Sequence, residues 1–243
     1  MRILVQGFGP FGRFPTNPSE LLVRALAARA TGHRATGDRA TGDRATGELH
    51  TEVLDTTASR VAEAIPALMA EHRPDVWLGV GLAAGRPSLS IEAVAVNLGC
   101  WETDDPENDQ EQWPRRPITG DGPAAYLTSL PVEAILGAWR DAGLPGYLSQ
   151  SAGTYLCNMS FYLAAQAAER LGTGCLVGFL HVPQLPGEVR QPASEPSMSL
   201  ALQQAGLDTV LDVCRATART TDTTSATNHV SSFTNPVSTG RTG

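Results

Sequence analysis

Three short apolar runs each stop at a glycine or a polar side chain: Ile3-Leu-Val5 ahead of Gly7, Val76-Trp-Leu-Gly-Val80 ahead of Gly81, and Cys175-Leu-Val-Gly-Phe-Leu180 ahead of His181. Runs this short and this continuously apolar suit strands covered on both faces. Between them lie stretches with apolar residues at helical spacing: Pro18 to Ala28, Ala58 to Glu71, Pro131 to Ala142, Asn158 to Arg170 and Ser197 to Arg215. Doubly covered strands alternating with helices leave few architectures open. The expectation is an α/β chain, a three-layer α/β/α sandwich around a twisted, mostly parallel central sheet. Leu49 to Leu54, Leu89 to Val96 and Tyr147 to Ser149 read as further strands, the second from its alternation of small and large residues.

At 243 residues the chain can bury one substantial core, and residues 1–217 are expected to form a single α/β domain. Two segments stand outside that pattern. From Arg29 to Glu48 a pentamer recurs four times, as Arg-Ala-Thr-Gly-His, twice as Arg-Ala-Thr-Gly-Asp, and as Arg-Ala-Thr-Gly-Glu. With a glycine in every copy and no large apolar side chain, it is read as an inserted surface loop over 29–48. Residues 218–243, rich in Thr and Ser, have little to bury and are read as a flexible tail. Residues 102–111 hold six acids, no bases and Pro106, the composition of a solvated or mobile loop.

A formal charge of −7 without any Arg cluster argues against a nucleic-acid partner. The N-terminal Met1-Arg-Ile-Leu-Val-Gln-Gly7 lacks the longer apolar region of a secretory signal, and no stretch approaches the roughly 18 apolar residues that cross a bilayer. A soluble, cytoplasmic protein without a membrane partner is expected. Cys100, Cys157, Cys175 and Cys214 are scattered with no C-x-x-C, so they read as free thiols rather than as a disulfide framework or zinc site.

Cys157 differs from the other three. It falls where the turn-forming Ser151-Ala-Gly-Thr154 gives way to a helical stretch, and unpaired N–H groups at a helix start favour a thiolate. A cysteine nucleophile needs a base, and the base an orienting group. Of the five histidines, His33 lies in the repeat, His50 at a strand start, His72 at a helix end and His229 in the tail. His181 instead closes a central strand, where open α/β sheets place their chemistry. Glu92 is a lone carboxylate in an apolar strand, and is either on a solvated face or bonded to a partner such as an imidazolium. The loop Gly7-Phe-Gly-Pro-Phe-Gly12 matches a dinucleotide fingerprint, but Pro10, Pro15 and Pro18 delay the helix that should cradle a pyrophosphate. Phe8 and Phe11 on that loop form an apolar wall or plug the core.

Taken together, these residues resemble the pyrrolidone-carboxylate peptidase (pyroglutamyl peptidase I) family of cysteine peptidases. Five ordered blocks carry the resemblance: Gly7 to Gly12 with Asn17-Pro-Ser19; Gly85-Arg86 with Ile91-Glu92 and Asn97; Asp121 to Tyr126; Ala152 to Asn158; and Gly178 to Pro183. The resemblance implies a Cys157, His181, Glu92 triad that removes N-terminal 5-oxoproline from peptides through a thioester, with no metal or cofactor, in a homotetramer or homodimer. It further implies a substrate pocket lined by Phe8, Phe11, Tyr155 and Leu156. Leu82 stands where the family usually carries a polar pocket residue, and Glu102 near where it carries an arginine. Those departures leave two alternatives: a thiol hydrolase of altered acyl or lactam specificity, and a weakly active or non-catalytic homologue that binds pyroglutamyl peptides.

Overall fold

Burial on both sides accounts for the first strand: all six residues of β1 (Ile3–Phe8) are buried, Ile3 and Val5 in one hydrophobic cluster, Leu4 and Phe8 in the other. The computed structural model describes residues 1–35, 48–101, 113–191 and 194–228. After β1 the elements run α1 (Pro18–Ala35), β2 (Leu49–Leu54), α2 (Ala58–His72), β3 (Val76–Leu82), β4 (Leu89–Glu92), β5 (Val94–Val96), β6 (Gly99–Trp101) and β7 (Trp113–Arg116). Then come β8 (Ala125–Leu127), α3 (Val132–Asp141), β9 (Gly146–Ser149), α4 (Leu156–Leu171), β10 (Leu176–Val182) and α5 (Leu200–Asn228).

The main sheet has the order β2-β1-β3-β10-β4-β9, and only the β10–β4 pairing is antiparallel. Helices α2 and α4 cover one face and α1, α3 and α5 the other. This is the expected three-layer sandwich around a mostly parallel sheet. Local chemistry sets the helix starts. Asn17 Oδ1 accepts from the Ser19 N–H at 3.0 Å ahead of Pro18, and Thr57 caps α2 by accepting from Arg60 N at 3.3 Å. Gly172, with φ of 59°, closes α4.

Three boundaries differ from the sequence reading. Leu89 to Val96 is two strands: β4 pairs with β10 and β9, whereas β5 leaves the sheet after Ala93 and pairs with β8. The break serves different hydrogen-bond partners, which alternation along one chain does not reveal. Helix α1 runs through the first copy of the pentamer to Ala35, helped by a two-pronged bond from Arg29 to Asp208 of α5 at 2.7 and 2.8 Å. Helix α5 continues to Asn228 where a tail was expected from 218. A helix already nucleated and packed adds residues at little further cost. Residues 36–47 of the repeat, 102–112 of the acidic stretch, including Glu102, and 229–243 of the tail, including His229, lie outside the described residues.

Candidate active site

Strands β3, β10 and β4 stand side by side, and their register brings three segments together. His181 of β10 pairs with Gly81 of β3 on one side and Ser90 of β4 on the other. Alternation then puts His181, Ser90 and Glu92 on the α4-facing side of the sheet, with Phe179. Cys157 reaches the same place from above: it is the second residue of α4, beyond the cap Tyr155, which makes no side-chain cap bond. Its sulfur occupies the space a side chain on Gly81 would fill, because a Cβ there would stand 2.7 Å from Cys157 Sγ and 3.0 Å from the Phe179 ring.

His181 Nδ1 lies 2.6 Å from Glu92 Oε1. With the carboxylate ionised, Nδ1 carries the proton and donates it, which leaves Nε2 as the free base. Arg86, from the turn after β3, adds a second clamp: its Nη1 donates to the same oxygen at 2.5 Å and to Ser90 Oγ at 2.7 Å, and its Nη2 donates to the Ser151 carbonyl at 3.3 Å. The exposure of the Glu92 side chain is 0%, so an ionised acid there needs such partners.

The protonation states follow from this arrangement. Burial works against the Glu92 charge, but the hydrogen bond and charge of His181, with Ser149 and Arg86, hold its carboxyl below the ordinary range. Burial also lowers the His181 pKa, against the pull of Glu92 and with the Arg86 charge, so the resting imidazole is neutral near pH 7. Burial and the negative Glu92 push the Cys157 thiol up to about 12, while Arg86 and its own backbone N–H oppose them. The sequence reading favoured a thiolate at a helix N-terminus. Desolvation over the apolar floor outweighs the helix start, and the resting thiol keeps its proton. At rest both groups are therefore neutral, a protonated thiol and an unprotonated imidazole.

The residues expected around the substrate do not all meet here. Phe8 and Leu156 are buried in the cluster under the sulfur, with Phe179. Phe11 and Tyr155 are half-buried, and Phe11 stacks obliquely on Phe14 with ring centres 5.5 Å apart. Leu82 follows Gly81 and so leaves β3 on the opposite face, away from the sulfur. Asn17 and Ser19 hold the Phe8 to Phe11 turn: the Ser19 hydroxyl accepts from the Phe8 N–H at 3.0 Å, and Asn17 Nδ2 donates to the Gly9 carbonyl at 2.9 Å.

Three residues of the site lie outside the expected set. Arg86 braces Glu92 while Ser90 accepts from Arg86, and Asn158 ties α4 to the β5 segment by accepting from Val96 N at 2.8 Å and donating to the Val96 and Leu98 carbonyls. The available signal for Arg86 was the need of a buried acid for more than one partner. Among the described residues, no group of three or more His, Cys, Asp and Glu side chains could hold a metal ion, and no helix is long and apolar enough to cross a membrane.

Comparisons with known proteins point in one direction. The family model described as pyroglutamyl peptidase matches residues 1–217. A pyrrolidone-carboxylate peptidase of Levilactobacillus brevis is 36% identical over 85% of this chain and 94% of its own length. Another from Vibrio vulnificus is 35% identical over 93% of this chain and 98% of its own. A solved structure of a pyrrolidone carboxyl peptidase variant from the hyperthermophile Pyrococcus furiosus superposes with a TM-score of 0.76 at 30% identity, covering 88% of this chain and 98% of that one.

Proposed function

The chain belongs to the pyroglutamyl peptidase family, and from that premise we propose that Cys157, His181 and Glu92 are the groups that perform its chemistry. The protein is a cysteine peptidase that removes the N-terminal pyroglutamyl residue from peptides. The observation that carries the residue assignment is the placement of the Cys157 sulfur over Gly81, the strand partner of His181, whose Nδ1 is held at 2.6 Å by Glu92.

The reaction begins as the Cys157 thiol proton passes to His181 Nε2 and the sulfur attacks the pyroglutamyl carbonyl. The Cys157 backbone N–H, in the first turn of α4 where no intrahelical acceptor exists, faces the oxyanion that develops. His181 then gives its proton to the departing amine, the C–N bond breaks and a thioester remains. Water passes a proton to His181 and attacks the thioester; the C–S bond breaks and the sulfur recovers the proton. Glu92 keeps the imidazole in the tautomer that needs Nε2 free and stabilises its charged form. Phe11 and Tyr155 supply apolar walls for the compact, uncharged lactam, with Phe8 and Leu156 as the floor beneath.

Cys157→Ala should lower release of 7-amino-4-methylcoumarin from its pyroglutamyl amide by about a thousandfold or more, as loss of a covalent nucleophile does. Turnover retained in that variant overturns the assignment. We also place the protein in the cytoplasm as a homodimer or homotetramer. Four free thiols and the exposed apolar Leu127 on strand β8 support this reading. Sedimentation at the mass of one chain would refute the assembly.

A further inference from the structure

Between the loop after β1 and the loop after β10 lies a cleft of about 560 Å³, walled by Arg13–Thr16 on one side and by Leu185, Gly187, Glu188, Val189 and Arg190 on the other. Both loops leave the C-terminal mouths of parallel strands separated only by β3, the position where open α/β sheets receive ligands. Two links tie the cleft to the proposed active site. Phe14 in one wall contacts Phe11, and the other wall begins four residues beyond His181. His181 must protonate the departing amine, so the peptide beyond the scissile bond leaves on its side, toward the segment that follows it.

The chemistry of the cleft indicates what that peptide carries. Arg13 and Arg190 stand exposed on opposite walls, and neither forms an ion pair among the described residues. The Arg13 guanidinium lies 5.0 Å over the Phe14 ring, which orients it without neutralising it. Glu188, the acid in the lining, is occupied as a strut between the walls: one oxygen accepts from the Thr16 hydroxyl and the other from the Leu185 N–H at 2.9 Å. Glu195, outside the lining, accepts from the Arg190 backbone N–H at 3.2 Å and from Gln184 at 3.3 Å. Phe14, Leu185 and Val189 give the floor an apolar character.

Resting on the function proposed above, we infer that this cleft binds the residues that follow pyroglutamate, and that Arg13 and Arg190 favour substrates with a carboxylate side chain there. The test compares two tripeptide amides that differ only in charge, pyroglutamyl-alanyl-glutamate amide and pyroglutamyl-alanyl-lysine amide, as a ratio of kcat/KM. Because the ratio is internal to each preparation, incomplete folding of a variant does not alter it. For the intact enzyme at low salt the ratio should favour the acidic peptide by about tenfold, and should shrink as salt screens the exposed cations. It should fall to near one in the Arg13→Gln, Arg190→Gln double variant and turn below one with Arg190→Glu in addition to Arg13→Gln. Hydrolysis of both peptides with a ratio near one in the intact enzyme, or an unchanged ratio in the double variant, overturns the inference alone. Failure to hydrolyse even the pyroglutamyl coumarin amide overturns the underlying function instead.

Discussion

The two faces of the central sheet are made from the same strands, yet one is uniform and the other is not. Toward α1, α3 and α5 stand Ile3, Val5, Val76, Leu78, Val80, Leu89, Ile91, Leu180 and Val182, none more than 2% exposed. Toward α2 and α4 the intervening positions include Gln6, Gly79, Gly81, Ser90, Glu92 and His181, interspersed with Trp77 and Phe179. Because successive strand residues point to opposite sides, a single register separates stabilising packing from reactive groups by one residue. The reactive face bears a cost the other lacks. Gln6 Oε1 is buried with no hydrogen-bond partner among the described residues, a condition worth about 1–3 kcal/mol. The apolar face has to offset that.

If the faces are independent, damage to one should spare the other. Leu207 of α5 is 0% exposed within the apolar cluster, so Leu207→Ala should cost about 2–5 kcal/mol of stability. Calorimetry should show the melting temperature falling by several degrees, while kcat/KM per folded molecule, measured well below melting, stays within about threefold. A larger kinetic loss would show that the faces are coupled. Two glycines give a paired version of the same test. A Cβ on Gly81 would stand 2.7 Å from Cys157 Sγ, whereas a Cβ on Gly178 of the neighbouring strand would press on Leu130 and Thr128. Each alanine overpacks its site by about 1–3 kcal/mol. Only Gly81→Ala should move the sulfur, with a loss of about a hundredfold in kcat/KM, the scale of a 1 Å misplacement. Equal kinetic losses in the two variants would break the distinction.

How much of this can be read from the chain depends on which interactions are local. β1, β3 and β10 are legible because a strand buried on both faces must be apolar at every position, and α4 because its turn residues and apolar spacing lie next to each other. His181 and Cys157 stand out by their place at element ends. The reversal of β4 against β10 and the departure of β5 to β8 depend on partners far along the chain, so the segment from Leu89 to Val96 reads as one strand. Glu92 shows the same limit: its pattern permits a solvated face or a buried partner, and only the β10 register brings His181 to it. Arg86 sits in a turn whose sequence gives no reason for a charge to fold inward, and its role is visible only once Glu92 is seen to need it. The burial that keeps Cys157 protonated is likewise a property of the packed sheet, not of the helix start.

Arg86 sets how sharply the reactive face can be tuned, and its removal should lower turnover less than Gly81→Ala does while saying more about how the face works. The guanidinium donates to Glu92 and Ser90, and its charge favours ionised Glu92 while disfavouring protonated His181. The proposed mechanism needs the carboxylate ionised and the imidazole neutral. In the intact enzyme the His181 pKa is lowered from 6.5 and the Glu92 pKa from 4.5, so the acid limb of kcat/KM should lie below pH 6.5. Arg86→Met removes a cause that lowers each pKa, so both rise and the limb should move to higher pH. The same loss withdraws a charge that eases Cys157 ionisation, so the thiol becomes harder to deprotonate and the plateau should drop by about tenfold. A purely structural arginine would lower the plateau or the folded fraction without moving the limb. An unshifted limb would therefore assign Arg86 to packing, and an upward shift would assign it to holding the charge state of the Glu92–His181 pair.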